Sequence, residues 1–301
     1  MPNKPNIQTR CVVNPGCSLG EGPVWDSEQR CLYWVDILEN KIYRYDPADN
    51  TFQSWSTPEH VGFVILKHGG GLIAGFKSGL HHVHLNEDAT VTATRIDRVD
   101  ENLDYLRFND GLADARGRIW GCTMDMRSEA PLGKYYCYDA GLNRTMMAEG
   151  YIVANGPALS PDGHWLYTVE TVGPSKGLYR SRLNADGRPE DKQLWIDWSQ
   201  RASLPDGLIT DADGNVWVGE FAGHVLRGYR PDGKLKSEIE LPAWSITKPA
   251  FGGENLDVLY VTSARIGADE ATLAHYPNTG GIIEVTGIGV RGMASVYVSV
   301  P

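Results

Sequence analysis

Apolar residues along this chain fall in short runs rather than at helical spacing. Residues 31–37, 165–170, 215–220 and 258–263 are rich in Val, Leu, Tyr and Trp, and Gly, Pro, Asp or Asn bound them. That is the pattern of strands separated by tight turns. Asp162-Gly163, Asp213-Gly214 and, less regularly, Arg116-Gly117 precede such runs. Dipeptides of this kind suit connections between antiparallel strands.

The runs recur in register. Their centres are Leu32, Ile73, Trp120, Leu166, Trp217 and Leu259, and eleven residues before each stand Glu21, Gly62, Asn109, Asn155, Asp206 and Lys248. Several of these open a similar phrase: Asn109-Asp110-Gly111, Asn155-Gly156-Pro157, Asp206-Gly207-Leu208, with Glu21-Gly22-Pro23 a close relative. A period of roughly 40 to 50 residues with several short strands per unit reads as propeller blades. The predicted fold is all-β: a six-bladed β-propeller occupying residues 1–301 as a single domain. A strand near residues 9–13 completes the last blade near residues 282–285 and closes the ring.

Equivalent blade positions lie at equivalent places around the axis. Glu21, Asn109, Asn155, Asp206 and Lys248 therefore converge at one mouth of the central channel. Polar groups gathered in that way are costly unless an ion, water or ligand satisfies them. Two carboxylates and two amides make an oxygen-rich set suited to one divalent cation, Ca²⁺, Mg²⁺, Mn²⁺ or Zn²⁺. For any one of these residues, a turn or capping role is the competing reading.

The net charge of −10 makes nucleic acid and anionic membranes poor partners. There is no run long and apolar enough for a membrane helix. The polar segment 1–10 does not resemble a signal peptide. The five cysteines form no Cys-x-x-Cys pair, which argues against a disulfide framework or a zinc-thiolate site. A reducing, cytoplasmic location is the expectation.

Leu19-Gly20-Glu21-Gly22-Pro23-Val24-Trp25, Arg107-Phe108-Asn109-Asp110-Gly111, Asn155-Gly156-Pro157, Ser160-Pro161-Asp162-Gly163 and Pro205-Asp206-Gly207 stand in the order seen in the gluconolactonase family, also called the senescence marker protein or regucalcin family. Phe251-Gly252-Gly253-Glu254-Asn255-Leu256 resembles its last blade. The resemblance covers about residues 15–285. It implies a six-bladed propeller with a central axial metal site held by Glu21, Asn155 and Asp206, and substrate contacts at Arg107 and Asn109. Some members place a glutamate at the position of Arg127, with Asp125 two residues earlier here, so the sugar is left open.

The activity implied is hydrolysis of a sugar (aldono) lactone to the aldonic acid, within carbohydrate metabolism. A bound dication polarises the carbonyl oxygen and acidifies water. Asp206 is then a ligand and the base, and Arg107 and Asn109 orient sugar hydroxyls or stabilise the oxyanion. Two alternatives stand beside it: a calcium-binding regulatory propeller with little turnover, and an esterase or phosphotriesterase on the same scaffold. A pure ion buffer needs no cation beside its site, so Arg107 favours the enzyme.

Other signals point elsewhere. Gly16-Cys17-Ser18-Leu19-Gly20 matches a nucleophile elbow, but Glu21-Gly22-Pro23 excludes the helix that motif requires. His81-His82-Val83-His84 reads as a half-buried strand. Asp211-Ala212-Asp213-Gly214-Asn215 reads as a hairpin turn rather than a calcium loop, and Gly69-Gly70-Gly71 is too short for a phosphate cradle.

Overall fold

Apolar strands need a second layer, and a chain of similar four-stranded units supplies it by packing each sheet on the next. A computed structural model describes residues 6–99 and 104–301. Residues 1–5 of the polar N-terminal segment lie outside it. Six four-stranded sheets form, over residues 20–56, 61–98, 106–151, 154–197, 204–240 and 246–286. They are the blades of a six-bladed all-β propeller.

The first strand of each blade lines the channel: Gly20–Asp26, Val61–Leu66, Leu106–Ala113, Ala154–Leu159, Leu204–Thr210 and Ile246–Gly252. The apolar runs of the sequence are the second strands, such as Cys31–Asp36, in which every residue is buried. Outermost strands such as Val91–Arg98 are mostly polar and have no fully buried residue. The sixth blade has three strands from its own repeat. Gln8–Val13 is its fourth and pairs antiparallel with Ile282–Thr286, Thr9 opposite Val285 and Arg10 opposite Glu284.

Neighbouring blades are joined by large side chains. Phe63 and Phe108 meet edge to face at 5.5 Å between the second and third blades. Trp25 and Tyr260 stack at 5.5 Å between the first and sixth. Trp34, Trp120, Trp198 and Trp217 are fully buried. All five cysteines are free thiols. Among the described residues no helix is long and apolar enough to cross a membrane.

The ring has two faces. Inner strands begin at the top, where the chain passes from blade to blade. They end at the bottom in turns to the second strands. The segment after Thr286 crosses the bottom: Ala212 N donates to Arg291 O, and Val298 N to Leu66 O at 2.9 Å. Tyr297 Oη donates to Asp26 at 2.7 Å. Between that segment and the lower ends of the inner strands lies a mostly apolar cavity of about 320 Å³, with Met293 and Val296 on one side and Lys248 at its inner end.

Candidate active site and metal centre

Every inner strand carries a break in pairing register at the position picked out by the repeat. The breaks fall at Glu21/Val24, Val61/Phe63, Phe108/Asp110, Asn155/Ala158, Pro205/Leu208 and Ile246/Pro249. A bulge bends the strand and re-aims a side chain out of the alternation of the sheet. The second blade has Gly62 at this position. A Cβ there would lie 2.5 Å from Phe108 O, so the third blade's backbone excludes a side chain.

Glu21, Arg107, Asn109, Asn155 and Asp206 are all buried. Arg107 Nη1 donates to Asn109 Oδ1 at 2.7 Å and to Phe108 O at 2.9 Å. Asn109 Nδ2 donates to Asn155 Oδ1 at 3.0 Å and to Ala154 O at 2.9 Å. Asn155 Nδ2 donates to Thr171 Oγ1 at 3.0 Å. The chain Arg107–Asn109–Asn155–Thr171 thus ties the third blade to the fourth.

The carboxylates meet the same cluster through their fields. Burial pushes the Glu21 carboxyl up to about 8, and the charge of Asp110 adds to the rise. Burial raises Asp206 as well, with Glu21 as the next cause. Burial lowers Arg107 to about 10, against the opposing pull of Glu21 and Asp206. Glu21 Oε2 accepts from Gly22 N at 2.7 Å, and Asp206 is held by Gly207 N. Burial, with a neighbouring carboxylate added in each case (Asp110 for Glu21, Glu21 for Asp206), favours the protonated form of both acids. No three His, Cys, Asp or Glu side chains cluster as metal ligands among the described residues. Glu21, Asp206 and the Asn155 amide offer hard oxygens of the kind a divalent cation takes.

Lys248 stands at the sixth position of the repeat with no partner legible in the sequence, and Asp110 has no role legible there. The Lys248 ammonium reaches across the channel to the Asp110 carboxylate. Asp110 Oδ1 also accepts from Gly111 N at 2.7 Å, and Oδ2 from Gly156 N at 3.1 Å. The signal available was Asn109-Asp110, two adjacent polar residues in one inner strand.

Arg127 stands at the top, in the loop after the strand Ile119–Asp125. Its guanidinium lies 3.6 Å over the Tyr105 ring and donates from Nε and Nη2 to Asp125 at 3.0 and 3.2 Å. Its side chain is 44% exposed while that of Asp125 is fully buried.

Residues 19–265 match the SMP-30/Gluconolactonase/LRE-like region. The chain belongs to the SMP-30/gluconolactonase/LRE-like family. Within the family it is 35% identical, over 96% of its length and 98% of the relative's, to a 6-deoxy-6-sulfogluconolactonase of Pseudomonas putida. It is 31% identical to regucalcin of Xenopus laevis over 96% of this chain and 97% of that one. Its fold superposes on a solved calcium-binding protein, regucalcin, from Agrobacterium tumefaciens with a TM-score of 0.89 and 26% identity, over 97% of each chain. A Xanthomonas campestris gluconolactonase shares the fold at a TM-score of 0.75 and 18% identity, over 93% of this chain and 89% of that one.

The motifs set aside are structural here too. His81 is buried against Phe76, ring centroids 4.8 Å apart, and His84 on the opposite side of its strand is exposed. Asp211 closes its turn by accepting from Asp213 N at 3.0 Å and Asn215 N at 2.8 Å. Gly20 opens a strand, not a helix.

Proposed function

We propose that the chain hydrolyses a sugar lactone bearing an anionic group, with Glu21, Asn155 and Asp206 holding one divalent cation. Its class is lactonase, a carboxylic-ester hydrolase. The observation that carries the reading is the gathering of two buried carboxylates, an amide and a guanidinium from four different blades. When bound, the cation supplies Lewis-acid polarisation and acidifies water.

The chain's own residues do the rest. Water adds to the lactone carbonyl carbon, the ring C–O ester bond breaks, and the proton taken from water passes to the departing ring oxygen. Asp206 is the group that accepts and returns that proton. Arg107 engages only Nη1 in the hydrogen bonds above, so its remaining donors turn to a sugar hydroxyl or the developing oxyanion. Asn109 holds that guanidinium beside the substrate. Arg127, preoriented by Asp125 and Tyr105, meets the anionic group at the rim. The curated relative that acts on a sulfo-substituted gluconolactone supports this choice of substrate.

The test is a pH-indicator assay on chelator-stripped protein. Five- and six-membered aldonolactones, with and without a sulfonate or carboxylate tail, are offered after adding back Ca²⁺, Zn²⁺, Mn²⁺ or Mg²⁺ singly. Turnover is expected only with metal, and fastest on a tailed lactone. Full activity in protein shown metal-free by elemental analysis would overturn the cation. Equal kcat/KM for tailed and plain lactones would overturn the anionic group.

A further inference from the structure

The Lys248–Asp110 pair joins opposite sides of the ring. Lys248 lies on the inner strand Ile246–Gly252 of the sixth blade and Asp110 on Leu106–Ala113 of the third. The path of the lysine is built for it. A Cβ on Gly207 would stand 2.6 Å from Lys248 Cβ and 2.7 Å from Cγ, so the glycine of the fifth blade leaves room for the lysine stem. Both ends of the pair are buried, with side-chain exposures of 7% and 0%.

Asp110 does more than neutralise an ammonium. Its Oδ2 accepts from Gly156 N at 3.1 Å. Gly156 directly follows Asn155 and has φ +81°, a left-handed conformation that fixes how the Asn155 peptide turns. The other side of that peptide is fixed as well, since Tyr135 Oη donates to Asn155 O at 2.7 Å. Asn155 is thus clamped through its backbone by Asp110 and Tyr135, and through its amide by Asn109 and Thr171.

We infer that Asp110 is a positioning residue for the cation site: its carboxylate holds the Gly156 N–H that sets the Asn155 ligand, and Lys248 neutralises that buried charge from across the channel. The inference rests on the cation reading above. Groups that orient metal ligands from outside the ligand set typically contribute roughly 10- to 100-fold to metal affinity when removed.

Breaking one member of a buried ion pair is strongly destabilising, so the test uses neutral pairs. Lys248→Met keeps the apolar stem. Combined with Asp110→Asn it keeps an acceptor for Gly156 N–H; combined with Asp110→Leu it keeps the volume and removes the acceptor. Calcium and zinc ions are titrated calorimetrically into both double variants, the parent and Asp206→Ala, with Tm recorded for each metal-free protein. The Asn form is expected to bind within about threefold of the parent, and the Leu form about tenfold or more weakly than the Asn form. Equal affinities of the two double variants, or an Asn form as weak as the Leu form, would overturn the positioning role. A parent that binds neither ion, or an Asp206→Ala variant that binds as the parent does, would instead overturn the cation site itself.

Discussion

Asp206 carries two duties in the proposed reaction, ligand and base, and one substitution separates them. Asp206→Asn keeps an oxygen and the size but loses basicity. At saturating metal, steady-state turnover is expected to fall by roughly 10² to 10⁴, the usual contribution of a positioned base; near-parent turnover would leave Asp206 a ligand only. Arg127→Ala is expected to raise KM for a tailed lactone severalfold with kcat nearly unchanged, the mark of lost uniform binding. The effect stays modest because Asp125 offsets part of that charge. The same pair sets an acid response. The hydrogen bond from Arg127 holds the Asp125 carboxyl down to about 2 from an ordinary 3.8. A lowered folded value means stability present above the unfolded value and lost as pH falls through the folded one. Urea midpoints of parent and Asp125→Asn should therefore differ most above about pH 4 and converge as pH falls towards about 2. A gap that is constant with pH would separate the loop's stability from this charge.

The inner strands are the elements on which the site depends, and they were only partly legible. Glu21, Asn109, Asn155 and Asp206 could be found because the repeat puts a polar residue where a strand facing only core would carry Val or Ile. The bulges that aim them could not, since a bulge is a mismatch between two strands and neither sequence shows it alone. Gly62 looked like a gap in the pattern. Its reason is the neighbouring backbone, so Gly62→Ala is expected to lower stability by about 1–3 kcal/mol, the range for overpacking a filled interior, read as a shift in denaturant midpoint. A neutral result would mean that the Phe108 backbone yields to the added methyl at no cost. Outermost strands such as Pro189–Asp197 were hard to read because their exposed side chains carry little apolar alternation. The Lys248–Asp110 contact joins residues 138 apart in sequence, and only the curvature of the ring brings them face to face.

At the scale of the whole molecule the two faces differ. The site residues lie at the upper ends of the inner strands, and residues 291–298 cover the bottom. Truncation after Val290 is expected to expose the apolar lower channel, raising fluorescence of a dye such as ANS and lowering Tm, while the KM for lactone stays close to the parent's. A KM raised in step with the loss of Tm would mean that the floor of the channel supports the mouth directly.

The strand Gln8–Val13 enters the ring from the bottom, beside Thr286, and the chain reaches Pro301 on that face, close to where Val298 pairs with Lys67. The described residues at both ends, from Gln8 and up to Val298, thus lie on the side away from the mouth. Anchored by either end to a bead, a scaffold or a fused neighbour, the ring stands with its mouth outward. Small molecules diffusing in meet the open face first, and the attachment can be lengthened, branched or replaced without entering their path.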